Sequence, residues 1–394
     1  MPVPNRSQLA DLRGITRMTI DAAESIAEVV ETMHHTIQSR PGPLGIASTG
    51  RPRGITGFVY RCVRGGIRLG GRAVDAGLAG VTPLLPEGES SPALDAYRSA
   101  VNGVYGDYLL RTENPLAIDM SLRYRGHRVD PHDPMRVIEQ QGDVTSASKL
   151  VVLVHGLCMN DRQWHRNGHD HGAALADEQG YLPLYLHYNS GLHIASNGRL
   201  LAEMLETLIG NWSARLDELV IIGHSMGGLV ARSACEYARG AGHTWLTELR
   251  KLVFLGTPHH GAPLERGGHG LDLVMQMSPY SIPFTRLSKA RSAGITDLRH
   301  GAIGQGDAVV PLPAGVKCYA AAAVRAAKRS LLSERMIGDG LVPLDSALGR
   351  HRVGSRTLKV PANRQWVGYG MNHLELLGRA EVYGQLSSWL RESD

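Results

Sequence analysis

Cysteine is scarce in this chain and widely scattered. Cys62, Cys158, Cys235 and Cys318 are its four cysteines in 394 residues. None is spaced as C-x-x-C, so neither a metal site nor a disulfide framework is suggested. No uninterrupted apolar stretch is long enough to span a membrane. The first residues, Met1-Pro2-Val3-Pro4-Asn5-Arg6-Ser7, lack the apolar core of a secretory signal. The cytoplasm is the expected location. Long Lys/Arg runs, zinc motifs and RNA-binding aromatic motifs are also missing. The net charge of +5 and the pI near 9.0 therefore do not argue for nucleic acid. What is present is globular: 43% apolar and 20% charged residues, on a chain long enough to bury a sizeable core and to hold two domains.

The most informative stretch is Ile222-Gly223-His224-Ser225-Met226-Gly227-Gly228. Gly223, Ser225 and Gly227 form G-x-S-x-G. The apolar, β-branched run Leu219-Val220-Ile221-Ile222 reads as a buried strand, and Leu229 to Cys235 reads as a helix. A serine on a sharp strand-to-helix turn has its Oγ pushed out above the sheet edge. Glycines flank it because a Cβ would clash in so tight a turn. The helix N-terminus beneath it favours developing negative charge. Without those flanks the five-residue pattern would be an ordinary glycine-rich turn.

Such a serine needs a base, an acid behind the base, and donors for an oxyanion. In this turn type they follow in chain order: serine, acid, histidine. The strand Leu150 to Val154 ends in His155-Gly156-Leu157, where the Leu157 N–H can face the oxyanion. The second donor is the N–H of Met226, directly after the serine. His155 reads as a structural brace of that loop. The acid is expected at Asp339, in Gly338-Asp339-Gly340-Leu341-Val342-Pro343, with Asp307 and Asp345 as rivals. Of 18 histidines only His351 and His373 follow Asp339. His351 sits in the polar, basic Arg350-His351-Arg352, which leaves His373 as the base. Tyr188 follows another strand, and His259 and His260 follow a further one. These three are candidate pocket residues. A metal reading of His155, His259 and His260 is set aside, because the same segments fit the serine pattern.

As a set, Gly-His-Ser-Met-Gly-Gly (223–228), Gly-Thr-Pro-His-His-Gly (256–261), Asp-Gly-Leu-Val (339–342) and Asn-His-Leu (372–374) resemble bacterial lipases and esterases of the α/β-hydrolase superfamily. They are also similar to the related GPI inositol-deacylase-like hydrolases. The resemblance covers roughly 149–390. It implies triad roles for Ser225, Asp339 and His373, and oxyanion roles for Leu157 and Met226. It implies an acyl ester or lipid substrate cleaved through an acyl-enzyme on Ser225, with no cofactor. An amidase or acyltransferase on the same triad is the alternative, and a non-catalytic lipid-surface protein is a third reading. Some lipases of this kind carry calcium near an aspartate two residues beyond the histidine. Glu375 stands there, no second ligand is evident, and no metal is expected.

The expected fold is α/β. Strands at 150–155, 182–187, 218–223, 252–256, 316–321 and 364–369 alternate with helices, which argues for a mostly parallel sheet with helices on both faces. Active residues should gather at the carboxyl ends of its strands. The catalytic domain is read as 114–394, opening with an antiparallel strand near 117–124. A cap or lid is expected at about 261–297, glycine-rich and then methionine-rich. The final helix should run from Ala380 to Arg391.

Residues 1–113 read as a helical extension with a linker near 82–92. Ile15, Met18, Ala22, Ile26, Val29, Met33 and Ile37 have helical spacing, opposite Asp21, Glu24, Glu28 and Glu31. A second helix at about 55–78 carries a Val59, Val63 and Ile67 stripe beside Arg61, Arg64, Arg68 and Arg72. Gly66, Gly70 and Gly77 would let a neighbour approach closely. This helix could lie on an anionic lipid surface. The simpler expectation is a hairpin packed on the catalytic domain, with its arginines solvated.

Overall fold

The structure is a computed structural model that describes residues 5–38, 54–84, 92–142, 147–262, 292–304, 310–327 and 338–392. Most of the expected cap and the rival Asp307 lie outside the described residues. The helices are α1 (Arg6–Gln38), α2 (Gly54–Val81), α3 (Pro92–Arg111), α4 (Pro134–Gln140), α5 (His171–Gln179), α6 (Ile194–Gly210), α7 (Met226–Ala241), α8 (Ala293–His300), α9 (Leu344–Ala347) and α10 (Ala380–Arg391). The strands are β1 (Ser121–Tyr124), β2 (His127–Val129), β3 (Lys149–Val154), β4 (Leu182–His187), β5 (Glu218–His224), β6 (Leu249–Leu255), β7 (Lys317–Val324) and β8 (Gln365–Tyr369).

The eight strands form one sheet in the order β2-β1-β4-β3-β5-β6-β7-β8. From β4 to β8 every pair is parallel, whereas β1 runs antiparallel to both β2 and β4. Five consecutive β3 residues, Leu150 to Val154, are fully buried. Successive side chains point to opposite faces, so both faces of the sheet are covered. Helix α7 packs on β3, β5 and β6 and against α6, while α5 packs on β4 and against α10. At β7 the alternation divides two cores. Tyr319, Ala321 and Ala323 join the main one. Ala320, Ala322 and Val324 meet Val342, Leu344 and Val360 instead.

The chain divides into two compact units: Met1–Asp95 with Leu109–Leu116, and Ala96–Tyr108 with Ala117–Asp394. The second unit thus takes in the middle of α3, ahead of the point where the sequence reading begins the catalytic domain. Helix α3 is locally non-helical at Tyr105.

In the first unit α1 and α2 pack together, but not on the side the sequence suggests. The α2 face toward α1 carries charge. Arg64 pairs with Glu31 at 2.9 Å and Arg68 with Glu24 at 2.9 Å. Asp75 accepts from both Arg13 and Arg17, at 2.6 and 2.7 Å. Those two guanidiniums hold the Asp75 carboxyl well below its ordinary range. The valine stripe points the other way: Val59 and Val63 are exposed, as are Phe58 and Leu69 at 59% and 73%. The close approach falls at Gly71, where a Cβ would lie 2.7 Å from Ile20 Cδ1, while Gly66, Gly70 and Gly77 face open space. Among the described residues no helix is long and apolar enough to cross a membrane.

Candidate active site

Ser225 sits alone between β5 and α7 at φ 55° and ψ −124°, a backbone conformation that side chains rarely adopt. The neighbouring glycines explain why the chain can hold it. A Cβ on Gly223 would lie 2.5 Å from Gly228 Cα, and one on Gly227 would lie 2.1 Å from the Val154 carbonyl oxygen. The turn is pressed between its own helix and the end of β3. Its start is pinned by the Ser225 N–H, which donates to the Leu255 carbonyl at 2.8 Å.

The loop after β3 lies against this serine. A Cβ at Gly156 would come within 3.1 Å of Ser225 Cβ. Leu157 and Met226 are both buried. Leu157 lies in the turn after β3 and Met226 is the first residue of α7, and among the described residues no backbone acceptor outside the regular elements takes either N–H. His155 is sealed in, with Nδ1 2.8 Å from the Gly156 carbonyl and its ring stacked on Tyr188 at 4.4 Å. Burial pushes its pKa down to about 3, so it is a neutral brace.

Asp339 and His373 meet directly. Asp339 Oδ2 lies 2.6 Å from His373 Nδ1, and both side chains are almost wholly buried. The other oxygen, Oδ1, accepts the Leu341 N–H at 2.9 Å and the Val342 N–H at 2.7 Å. With an ionised carboxylate opposite, Nδ1 is the protonated nitrogen, which leaves Nε2 as the acceptor. That Nε2 is buried and has no protein partner among the described residues. The rival Asp345 is exposed on α9.

His373 is held by a capping box. The Asn372 side chain accepts the N–H groups of Leu374 and Glu375. Glu375 in turn accepts the Asn372 N–H at 2.7 Å and pairs with Arg379 at 2.8 Å. The Asn372 N–H, then burial in opposition and Arg379, leave the Glu375 pKa lowered. Its carboxylate closes the turn that carries the histidine. Among the described residues no cluster of His, Cys, Asp and Glu could hold a metal.

One residue that the sequence reading left without a role joins the serine turn to the base. His224 lies ring to ring with His373 at 4.7 Å, and its Nε2 is 3.3 Å from the His373 carbonyl. Its position inside the motif was visible, but its partner lies far along the chain, so no spacing could reveal the contact. The pocket candidates are placed otherwise engaged. The Tyr188 hydroxyl donates to the His155 carbonyl at 2.8 Å. His259 Nδ1 is 3.2 Å from Arg232, and His260 Nε2 is 3.0 Å from the Gly349 carbonyl. Cys158, beside the loop, is buried, and its thiol pKa is raised to about 12 by that burial.

Several buried histidines are thus neutral. Burial lowers His155 to about 3 and His171 to about 4, and holds His224 and His259 well below the usual value. In the unfolded chain such groups titrate near about 6.5. Below that pH the unfolded state takes up more protons, so stability is present above it and is lost as the pH falls toward the folded values. The melting temperature should therefore drop between pH 7 and pH 5, before most carboxylates titrate. His171→Gln should flatten the slope. A melting temperature level across that window would contradict the neutral, buried assignment.

A mostly parallel sheet of this order, with a serine at the turn after β5, an acid after β7 and a histidine after β8, is the α/β-hydrolase fold. Residues 146–316 match the family model of the PGAP1-like alpha/beta domain. A search of curated protein sequences gives no match. Among solved structures the chain is similar to the mature lipase of Bacillus licheniformis, at 18% identity over 69% of this chain and 97% of that one, with a TM-score of 0.44. It is similar to an esterase of Pyrobaculum calidifontis, at 14% identity over 62% of this chain and 75% of the other, with a TM-score of 0.41. It is also similar to a thioesterase of the prodiginine biosynthetic pathway of Streptomyces coelicolor, at 17% identity over 63% and 91%, with a TM-score of 0.38. These are likenesses of fold.

Proposed function

We propose that the chain is a serine hydrolase of carboxylic esters. The observation that carries this reading is the buried Asp339–His373 pair at 2.6 Å, whose histidine lies ring to ring with His224, the residue before Ser225 on its strained strand-to-helix turn. His373 Nε2 takes the proton of Ser225 Oγ as the oxygen attacks the ester carbonyl. The carbonyl oxygen becomes an oxyanion between the N–H groups of Leu157 and Met226. His373 then gives the proton to the departing alcohol, leaving Ser225 acylated. Water enters, loses its proton to His373 and releases the acid by the same route. Asp339 holds the imidazole in the required tautomer and stabilises its cation. This sequence needs no cofactor. The four free cysteines suit a reducing compartment, and the cytoplasm is the location proposed.

The test is turnover of p-nitrophenyl esters across acyl lengths, with matched amides alongside and a fluorophosphonate label for the serine. Ester cleavage with label on Ser225 supports the reading. Cleavage of amides in preference to esters would move the assignment to an amidase. A chain that neither turns over nor labels would refute it.

The substrate class proposed is an acyl ester presented at a lipid surface. Helix α2 supports this: its Arg64, Arg68 and Asp75 are spent on α1, while Phe58, Val59, Val63 and Leu69 stand exposed. An exposed apolar face flanked by Arg61 and Arg72 suits an anionic bilayer surface. Val63→Asp with Leu69→Asp should abolish co-flotation with anionic phospholipid vesicles. Cleavage of a soluble short-chain ester should change by less than about twofold, since neither residue is in the second unit. Undiminished flotation of the double variant would remove the lipid assignment.

A further inference from the structure

Leu157 is followed by a residue that needs an explanation. Cys158 carries a side chain, is buried, and yet sits at φ 59°. A left-handed residue there is held by its surroundings or it relaxes. Its N–H donates to Ser190 Oγ at 3.0 Å. Beneath it lies Gly103 of α3, where a Cβ would be 2.3 Å from Cys158 Sγ and 2.9 Å from both its Cα and its N. The other end of the same loop is held by the same segment. The Tyr188 hydroxyl donates to the His155 carbonyl, and its ring stacks on the His155 imidazole. The segment after β4 therefore grips the oxyanion loop at both ends, and the Leu157 N–H lies between the two grips.

Ser190 is itself immobilised. It is buried. The Asn189 side chain donates to the Gly106 carbonyl at 3.0 Å and accepts the Gly191 N–H at 3.1 Å. The Asn197 side chain donates to the Asn189 carbonyl at 2.9 Å. Ser292, at the start of α8, donates to the Gly103 carbonyl at 2.7 Å. Most of this frame lies apart from the serine, acid and histidine motifs, and α3 lies outside the residues that match the family model.

We infer that Ser190 is a positioning residue: by accepting the Cys158 N–H it fixes the left-handed turn that aims the Leu157 N–H at the oxyanion. This rests on the serine-hydrolase reading above. An oxyanion donor acts on the transition state far more than on the bound ester, because the charge it meets exists only there. Loss of its aim should thus appear in kcat and not in KM.

The experiment compares wild type, Ser190→Ala and Ser190→Thr in the full chain. The readouts are ester kinetics, affinity for an aryl trifluoromethyl ketone, and thermal melting. That ketone adds the serine oxygen and forms a stable oxyanion. Ser190→Ala should lower kcat by about tenfold or more with KM within about twofold, and the ketone should weaken by a similar factor. Ser190→Thr, which keeps the hydroxyl, should restore both. If Ser190→Ala does not fold, Ser190→Cys, a weaker acceptor of similar size, takes its place with an intermediate loss expected. Unchanged kcat and ketone affinity would overturn the inference, as would a kcat loss that threonine does not repair. A wild type that labels and turns over makes such a result a failure of the Ser190 inference alone. A wild type that does neither sinks the hydrolase reading as well.

Discussion

Ser225→Ala is expected to remove ester turnover almost entirely, by about four orders of magnitude or more. It should also remove fluorophosphonate labelling. The fold should survive, because alanine loses only the Oγ. The strain at this position belongs to the backbone, and the glycines around it already relieve the steric demand. The melting temperature should stay within a few degrees of wild type, on the order of the change expected for a substitution that disturbs no packing. The variant therefore separates chemistry from folding. Substantial residual turnover in a well-folded Ser225→Ala protein would place the nucleophile elsewhere.

The second large effect is expected at the acid. In Asp339→Asn the two backbone donors, Leu341 and Val342 N–H, still require an acceptor at the Oδ1 position. The amide oxygen will take that place. Its NH2 group then points at His373 Nδ1, where the carboxylate oxygen now stands 2.6 Å away. Two N–H groups cannot share that contact, so the imidazole must move its proton to Nε2, the nitrogen that needs to accept from Ser225. The turnover number should fall by about four orders of magnitude, with KM little changed. Asp345→Asn, on the exposed side of α9, should stay within about twofold of wild type. Steady-state kinetics on the two purified variants decides it. A deep loss at Asp345 with a mild one at Asp339 would reverse the assignment.

The sheet was legible because its signals are local. Buried parallel strands are continuous apolar runs, and the run Leu150 to Val154 or Leu219 to Ile222 declares itself without reference to any other segment. The turn at Ser225 was legible for the same reason, since its glycines answer steric demands within a few residues. The choice among Asp307, Asp339 and Asp345 is of another kind. Glycine turns hold acidic residues for many reasons, and the sequence favours Asp339 by chain order without showing which carboxylate the histidine faces. The orientation of α2 was misleading. Valines and arginines both recur at helical spacing, and the usual expectation turns the valines inward. Glu24, Glu31, Arg13 and Arg17 on α1 reverse that preference by pairing with the charges on α2.

By itself the sequence determined the α/β class, the strand-to-helix turn at Ser225 and the carboxy-terminal position of His373, because each depends on periodicity or on sterics within a few neighbouring residues. Only the tertiary structure decided that Asp339 faces His373, that His224 and Glu375 brace the histidine's turn, and that Ser190 and Gly103 grip the loop bearing Leu157. Those contacts join segments distant along the chain, and hydrogen bonds at such separations leave no regular spacing to read.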